Sequence, residues 1–449
     1  MFVNVIGGGL AGCEAAYQVA KSGVKVRLYE MKPKKFSSAH SNSDLAEIVC
    51  SNSFKSNLIT NACGLLKEEL RRMDSLLIRI ADETCVPAGQ ALAVDRELFS
   101  KRVTEEIDRN SNIEVFNQEV TSIPEDEVTI IATGPLTSDG LFEAISDLID
   151  DKGLYFYDAA APIVEKSSID MRIAFMGDRY SQEKKKDESI EEWKLRLSLE
   201  NANDSYINLP MNQGEYEIFW DNLVNADVVQ LHEFEKSEIF EGCMPVEIMA
   251  KRGIDTLRFG PLKPVGFDDP RTGRRPYAVV QLRQDNSSGT LYNIVGFQTN
   301  LKFGEQKRVF SMIPGLKNAE FVKYGVMHRN TYINSTKILN DMLQMKDRKN
   351  VFFAGQITGV EGYVESIASG LMAGINVARF VNGNERMVMP NETMIGALMN
   401  YIVSPNEKFQ PMNANFGILP ELDFKIRDKK ERYRMLADRS LKYFEGFRE

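Results

Sequence analysis

This 449-residue chain lacks the means for metal chemistry. It has three histidines and five cysteines, Cys13, Cys50, Cys63, Cys85 and Cys243. No two cysteines stand at a metal-type spacing and no Cys/His cluster occurs, so neither a structural nor a catalytic metal is expected. The odd count without a CxxC pair excludes a disulfide framework and suits free thiols in a cytoplasmic enzyme. No apolar run approaches the length of a membrane span, so no membrane contact is expected. The apolar N-terminus has no basic start and does not read as a secretory signal. There is no excess of positive charge either. The net charge is −9, so any contact with a polyanion must be local. What remains is 43% hydrophobic and 27% charged, an ordinary globular composition in a chain long enough for two or three domains.

The most informative residues come first. Met1–Ile6 is a strand candidate, followed by Gly7-Gly8-Gly9-Leu10-Ala11-Gly12, an apolar helix-period stretch to Gly23, and a second strand ending at Glu30. This is a strand–turn–helix–strand unit of dinucleotide-binding type. Gly7 permits the tight turn, Gly9 lets a pyrophosphate approach the backbone, and Gly12 lets helix and strand pack closely. The helix N-terminus presents N–H groups to phosphate, and Glu30 stands where a carboxylate accepts ribose hydroxyls. An adenine dinucleotide, FAD or NAD(P), is expected here.

Two distant segments look like parts of the same unit. Val128–Gly134 reads as a buried strand ending in Ala132-Thr133-Gly134. Val351–Ser366 reads as a strand, a turn containing Gly355, Gln356, Gly359 and Gly362, and a helix starting at Tyr363. The expected fold is α/β. A Rossmann-like domain of the two-dinucleotide-binding flavoprotein type is assembled from residues 1–160 and 276–449, with an inserted α+β domain over 161–275 on the substrate side. No second GxGxxG is present, so NAD(P)H, if used, binds without a module of its own. Ser181–Glu192 reads as an exposed charged loop leading into an amphipathic run at Trp193–Leu199, and strand-like alternation follows at Tyr206–Pro210 and Tyr216–Trp220.

Two thiols have settings that favour thiolate. Cys50 lies in a polar loop, Cys50-Ser51-Asn52-Ser53, with Lys55 nearby. Cys243 precedes Pro245 at a helix start, with Lys251 and Arg252 beyond. Both settings lower a thiol pKa, although buried inert thiols are the common case. Cys13 reads as a small packing residue. Between Lys251 and Arg283 there are eight Lys/Arg against three Asp, and Lys425–Glu449 carries nine basic against five acidic residues. Either surface suits phosphates, or is simply a solvated charged face.

Longer motifs then accumulate: Cys50-Ser51-Asn52-Ser53, Asn61–Glu69, Val86–Gly89, Ala93–Arg96, Glu241-Gly242-Cys243-Met244-Pro245, Met249–Gly253, Phe259–Gly266, Gln281–Asn286, Tyr324–Asn330 and Gly355–Ser366. Together they resemble the TrmFO family over residues 1 to about 420. The stretch 181–192 and the C-terminal tail match least.

The resemblance implies transfer of a one-carbon unit from 5,10-methylenetetrahydrofolate to uracil C5 at position 54 of the tRNA T-loop, with FAD reduced by NADH or NADPH supplying electrons. A thiolate adding to uracil C6 makes C5 nucleophilic, and its elimination restores the ring. The implied thiols are Cys243 as nucleophile and Cys50 as the flavin-side partner, with the roles exchangeable. Tyr363 is implied on the open face of the folate–flavin stack, or as a packing tyrosine at a helix start. Arg283 and Asn286 are candidates for the pterin or its glutamate tail. Lys251, Arg252, Arg271, Arg274 and Arg275 are candidates for RNA. His328 has no role assignable from sequence. Two alternatives stay open, the same chemistry on 23S ribosomal RNA and a non-catalytic FAD- and RNA-binding protein; the length and the Glu241–Pro245 segment argue against a wobble-uridine modifier of the GidA type. A flavin disulfide oxidoreductase is disfavoured because no CxxC pair lies near the fingerprint. The oligomeric state is open, a homodimer included.

Overall fold

The computed structural model describes residues 2–445 except 38, 150–153, 180–205 (apart from 189, 192, 193 and 196), 230–243, 326 and 407–408. The candidate nucleophile Cys243 and nearly all of the charged stretch and amphipathic run at 181–199 lie outside the described residues.

A five-stranded sheet holds the first half of the site. Its strands run 351–353, 129–131, 2–6, 25–30 and 113–117 in spatial order, and every pair is parallel. Strands buried on both faces carry continuous apolar runs, and Val3, Val5, Ile130, Phe352 and Phe353 are fully buried. From strand 2–6 the chain crosses to one side through 25–30, then reaches the other side with 129–131. The crevice at the carboxyl end of 2–6 is therefore a topological switch point, where α/β sheets bind ligands.

The helix Leu10–Lys21 packs along the helix Tyr363–Val381. Small residues set their separation: a Cβ on Gly370 would collide with the Ala11 carbonyl, and one on Gly374 with Ala15. The second helix is long and apolar enough to cross a membrane, but its apolar window is 83% buried. It is the core helix of this half.

A second, six-stranded sheet runs 175–176, 206–211, 278–284, 291–294, 163–165 and 321–323, antiparallel throughout. It has its own core, including Leu209, Phe219, Val246, Val280, Phe297 and Phe310. Strands 278–284, 291–294 and 321–323 belong to this sheet, whereas the boundary expected at 275 would place them with the parallel one. The sequence offers no break at that point because 278–284 pairs with 206–211 across some seventy residues of chain. Strands 154–159 and 327–332 form an antiparallel ribbon, and 53–56, 91–94 and 85–86 form a small sheet.

One local expectation is overturned. Tyr216–Trp220 is not a strand but part of the helix Gln213–Val224. Asn212 accepts the Glu215 N–H at 3.0 Å and Glu215 accepts the Asn212 N–H at 2.8 Å, a reciprocal cap that starts the helix. The buried residues are Tyr216, Phe219 and Leu223. That is helical spacing, and it leaves Ile218 62% exposed.

Candidate functional site

A single cavity of about 590 Å³ runs from the glycine turn to the Cys50 loop and is lined from both sheets, within the range of small-molecule sites. Gly7, at φ +109°, closes the turn: a Cβ there would lie 2.6 Å from the Ala132 carbonyl oxygen. Gly12 allows no side chain, because a Cβ would collide with the Gly7 carbonyl. Gly9 is different. A Cβ on it meets nothing within 4 Å and would project into open space. The chain keeps a bare backbone there without needing it for its own packing, which fits a diphosphate cradle. Glu30 closes this end, its carboxylate accepting the Gly8 N–H at 3.0 Å and the Lys32 N–H at 2.9 Å. Each oxygen retains a lone pair for a ribose hydroxyl.

Most of the expected cofactor residues line this cavity: Gly7–Ala11, Glu30, Thr133, Gly134, Gly355, Gln356, Gly362 and Tyr363. Gly12 and Gly359 do not. Gly12 packs helix on strand, and a Cβ on Gly359 would collide with the Phe409 ring.

Cys50 also lines the cavity, half-buried. Its loop is held from every side. The Tyr363 hydroxyl accepts the N–H of Cys50 at 2.9 Å and of Ser51 at 3.3 Å. Arg96 donates to the carbonyls of Ile48 at 3.0 Å and Cys50 at 3.1 Å, and to Asp285. Arg283 donates to Ser51 Oγ at 2.6 Å and Asn52 Oδ1 at 3.0 Å. Asn52 Nδ2 in turn donates to the Val94 and Gln284 carbonyls. Loop residues so tied have one conformation, which fixes where the thiol stands.

The other described thiols have no such setting. Cys13 is fully buried and donates to the Gly8 carbonyl at 3.3 Å, and burial pushes its thiol far up. Burial likewise pushes Cys63 up to about 12. Cys85 is exposed.

The folate candidates separate. Tyr363 and Arg283 line the cavity, although the tyrosine hydroxyl and the guanidinium already hold the Cys50 loop. Burial drives the Tyr363 hydroxyl up and lowers the Arg283 guanidinium. Asn286 does not line it. Its side chain closes its own turn, donating to Thr290 Oγ1 at 2.8 Å and accepting from Thr290 N and Leu291 N.

The RNA candidates Lys251, Arg252, Arg271, Arg274 and Arg275 are all exposed. Arg271 is paired with Asp269 at 2.8 Å. Met249 of the helix Val246–Lys251 and Met244 just before it line the cavity wall, so the basic stretch begins beside the site. Among the described residues no His/Cys/Asp/Glu group suited to a metal occurs.

Several residues in or around the cavity were given no role from the sequence pattern. Arg96 and Asp95 stand in a matched motif but had no role. Asp95 caps the helix Arg96–Arg109 and accepts the Ser287 N–H at 2.8 Å, so the pair clamps the second sheet to the Cys50 loop. Lys32 is buried with Glu47 at 3.4 Å and donates to the Asn42 and Asp44 carbonyls, fixing the loop beside Glu30. Lys55 reaches Glu365 at 3.5 Å. The contacts of Arg96 and Lys55 join residues 46 to 310 positions apart, which leaves no pattern in the chain to read.

The family model described as glucose inhibited division protein A matches residues 2–385. A protein of Acetivibrio thermocellus named methylenetetrahydrofolate--tRNA-(uracil-5-)-methyltransferase TrmFO is 57% identical over 447 residues, 99% of this chain and 98% of that protein. A protein of the same name from Bacillus pumilus is 56% identical over 441 residues, 98% of this chain and 97% of the relative. Among solved structures, Aquifex aeolicus GidA superposes with a TM-score of 0.67 at 16% identity, covering 98% of this chain and 72% of that one. The likeness extends the shared fold to the whole chain.

Proposed function

The chain belongs to the TrmFO family, and from that membership and its cavity we propose that it is a folate-dependent tRNA (uracil-5-)-methyltransferase that carries FAD. One observation supports this reading above others: the dinucleotide cradle and the immobilised Cys50 loop are two walls of one cavity. A protein that only bound a dinucleotide would have no evident use for a thiol-bearing loop held by Tyr363, Arg96 and Arg283.

The residues fit the cofactor. The open space at Gly9 takes the diphosphate against the N-terminus of Leu10–Lys21, and Glu30 takes the ribose. The N-terminus of Tyr363–Val381 lines the other end of the cavity, with its dipole positive there. When bound, FAD reduced by NADH or NADPH supplies the electrons that bring the transferred carbon to the methyl level.

The protein's own work is on the uracil. In this reading Cys243 adds as thiolate to C6 at position 54 of the T-loop, C5 takes the carbon of 5,10-methylenetetrahydrofolate with release of tetrahydrofolate, and loss of the C5 proton expels the thiolate and restores the ring. Pro245 and the helix Val246–Lys251 follow Cys243 directly, and Met244 lines the cavity. Cys50, on the cavity wall, assists on the flavin side. The folate lies between, with Tyr363 and Arg283 at its edge. The cations at 251–275 take phosphates of the T-arm.

The test is methyl transfer from labelled 5,10-methylenetetrahydrofolate and NAD(P)H to unmodified tRNA, with the product nucleoside placed by mass mapping. Methylation at uridine 54 is expected. Cys243→Ala and Cys50→Ala should abolish it while retaining yellow, FAD-loaded protein. Methylation of 23S ribosomal RNA fragments instead would redirect the substrate assignment. Retained FAD and RNA binding with no turnover would overturn the enzymatic reading.

A further inference from the structure

The cavity contains a pair of opposite charges to which the proposed reaction assigns no role. Lys55 has φ +61°, where a side chain costs about 1–2 kcal/mol. It stands where the register of 53–56 against 91–94 shifts, and such irregularities re-aim side chains at functional sites. Its ammonium lies 3.5 Å from Glu365 Oε1, the lysine side chain 47% exposed and the glutamate 1%. Both residues line the cavity.

Glu365 sits in the first turn of Tyr363–Val381. Its Oε1 also accepts the Ala414 N–H at 3.0 Å. Its Oε2 is buried with no hydrogen-bond partner among the described residues, which costs about 1–3 kcal/mol or more. Gly362 precedes this turn at φ +122°. A Cβ on it would collide with Glu365 Oε2 and come within 3.3 Å of Lys55 Nζ. No side chain caps the helix at Gly362. An ammonium, an unsatisfied carboxylate oxygen and helix N–H groups thus surround one bare patch of backbone on the cavity wall.

That pattern asks for a ligand edge with one N–H donor beside carbonyl acceptors. The oxidised isoalloxazine has one N–H, on the imide nitrogen, flanked by two carbonyls. We propose that Lys55 and Glu365 flank the imide edge of bound flavin and set its reduction potential in opposite directions. This rests on FAD occupying the cavity and is independent of the RNA chemistry. A nicotinamide donor passes a hydride, two electrons and one proton, to the flavin. It leaves as the oxidised nicotinamide, and the reduced ring gains one negative charge spread over its pyrimidine side. Lys55 stabilises that charge and Glu365 opposes it.

The experiment is the two-electron midpoint potential of full-length, FAD-loaded protein without RNA or folate, with melting to check folding. Lys55→Met should lower the potential by at least a tenfold change in the oxidised-to-reduced ratio, about 30 mV. Lys55→Arg should stay within about threefold of wild type, and Glu365→Gln should raise the potential. A merely structural role would not give opposite signs. A shift under threefold in Lys55→Met, the same shift in Lys55→Arg, or a fall in Glu365→Gln overturns the proposal. If Glu365→Gln loses FAD, the Met and Arg variants of Lys55 still decide. Failure of wild-type methyl transfer would sink the RNA reading and leave this test standing.

Discussion

The Tyr363 hydroxyl accepts the Cys50 N–H at 2.9 Å, joining residues 313 positions apart. Through this bond the first residue of the long core helix fixes the backbone of a cavity thiol. The helix that lines the proposed flavin site and the loop that presents sulfur are one mechanical unit, and neither can shift without the other.

Tyr363→Phe should therefore loosen the Cys50 loop. Two half-buried N–H donors lose their acceptor, at a cost of about 1–3 kcal/mol at most. Thermal melting should report the loss. FAD content should persist, because the glycine cradle is untouched, while methyl transfer falls. Unchanged stability and unchanged turnover together would mean that the hydroxyl does not position the loop.

Gly9 and Gly12 should separate binding from folding. A Cβ at Gly9 meets no protein atom within 4 Å, whereas at Gly12 it strikes the Gly7 carbonyl. Gly9→Val should give folded, colourless protein, since its side chain takes the diphosphate position. Gly12→Val should lose stability whether or not FAD is added. Yellow Gly9→Val protein would show that the diphosphate does not lie there.

Glu69 makes stability depend on pH. It accepts the N–H groups of Met394 at 2.7 Å and Ile395 at 2.8 Å, and the Ser440 hydroxyl. Burial nevertheless pushes its carboxyl up to about 7. The folded state holds the proton more tightly than the unfolded state. The resulting stability is complete below the unfolded pKa, about 4.5, and is lost as pH rises through 7. The full effect is roughly 3 kcal/mol at most. Urea unfolding of wild type and Glu69→Gln should show wild type losing more stability between pH 5 and 8. Parallel pH profiles would remove Glu69 as the cause.

RNA binding should be salt-sensitive despite the acidic chain. Each phosphate contact contributes about 0.9 to the slope of log affinity against log salt on duplex-like RNA. Neutralising Arg271, Arg274 and Arg275 together should flatten that slope and raise the Michaelis constant for RNA, with flavin reduction little changed. Arg271 is already paired with Asp269, so its share of the change should be smaller than that of Arg274. An identical slope in the triple variant would leave these arginines a solvated face and turn attention to the helix Lys429–Lys442.

By itself the sequence determined the dinucleotide unit: strand 2–6, the Gly7–Gly12 turn, the helix and Glu30. Each constraint there is local, set by glycines and apolar spacing within thirty contiguous residues, so pattern alone carries it. The strand before Thr133 and the Gly355–Tyr363 turn were legible for the same reason. Only the tertiary structure decided the rest. Gln213–Val224 is a helix because a cap at Asn212 and a buried stripe outweigh an apparent alternation. The antiparallel sheet extends past 275 because its strands pair across seventy residues. Asn286 is spent within its turn. Arg96, Arg283 and Tyr363 converge on the Cys50 loop from 46 to 313 positions away, and a contact between residues so distant leaves no periodicity in the chain to read.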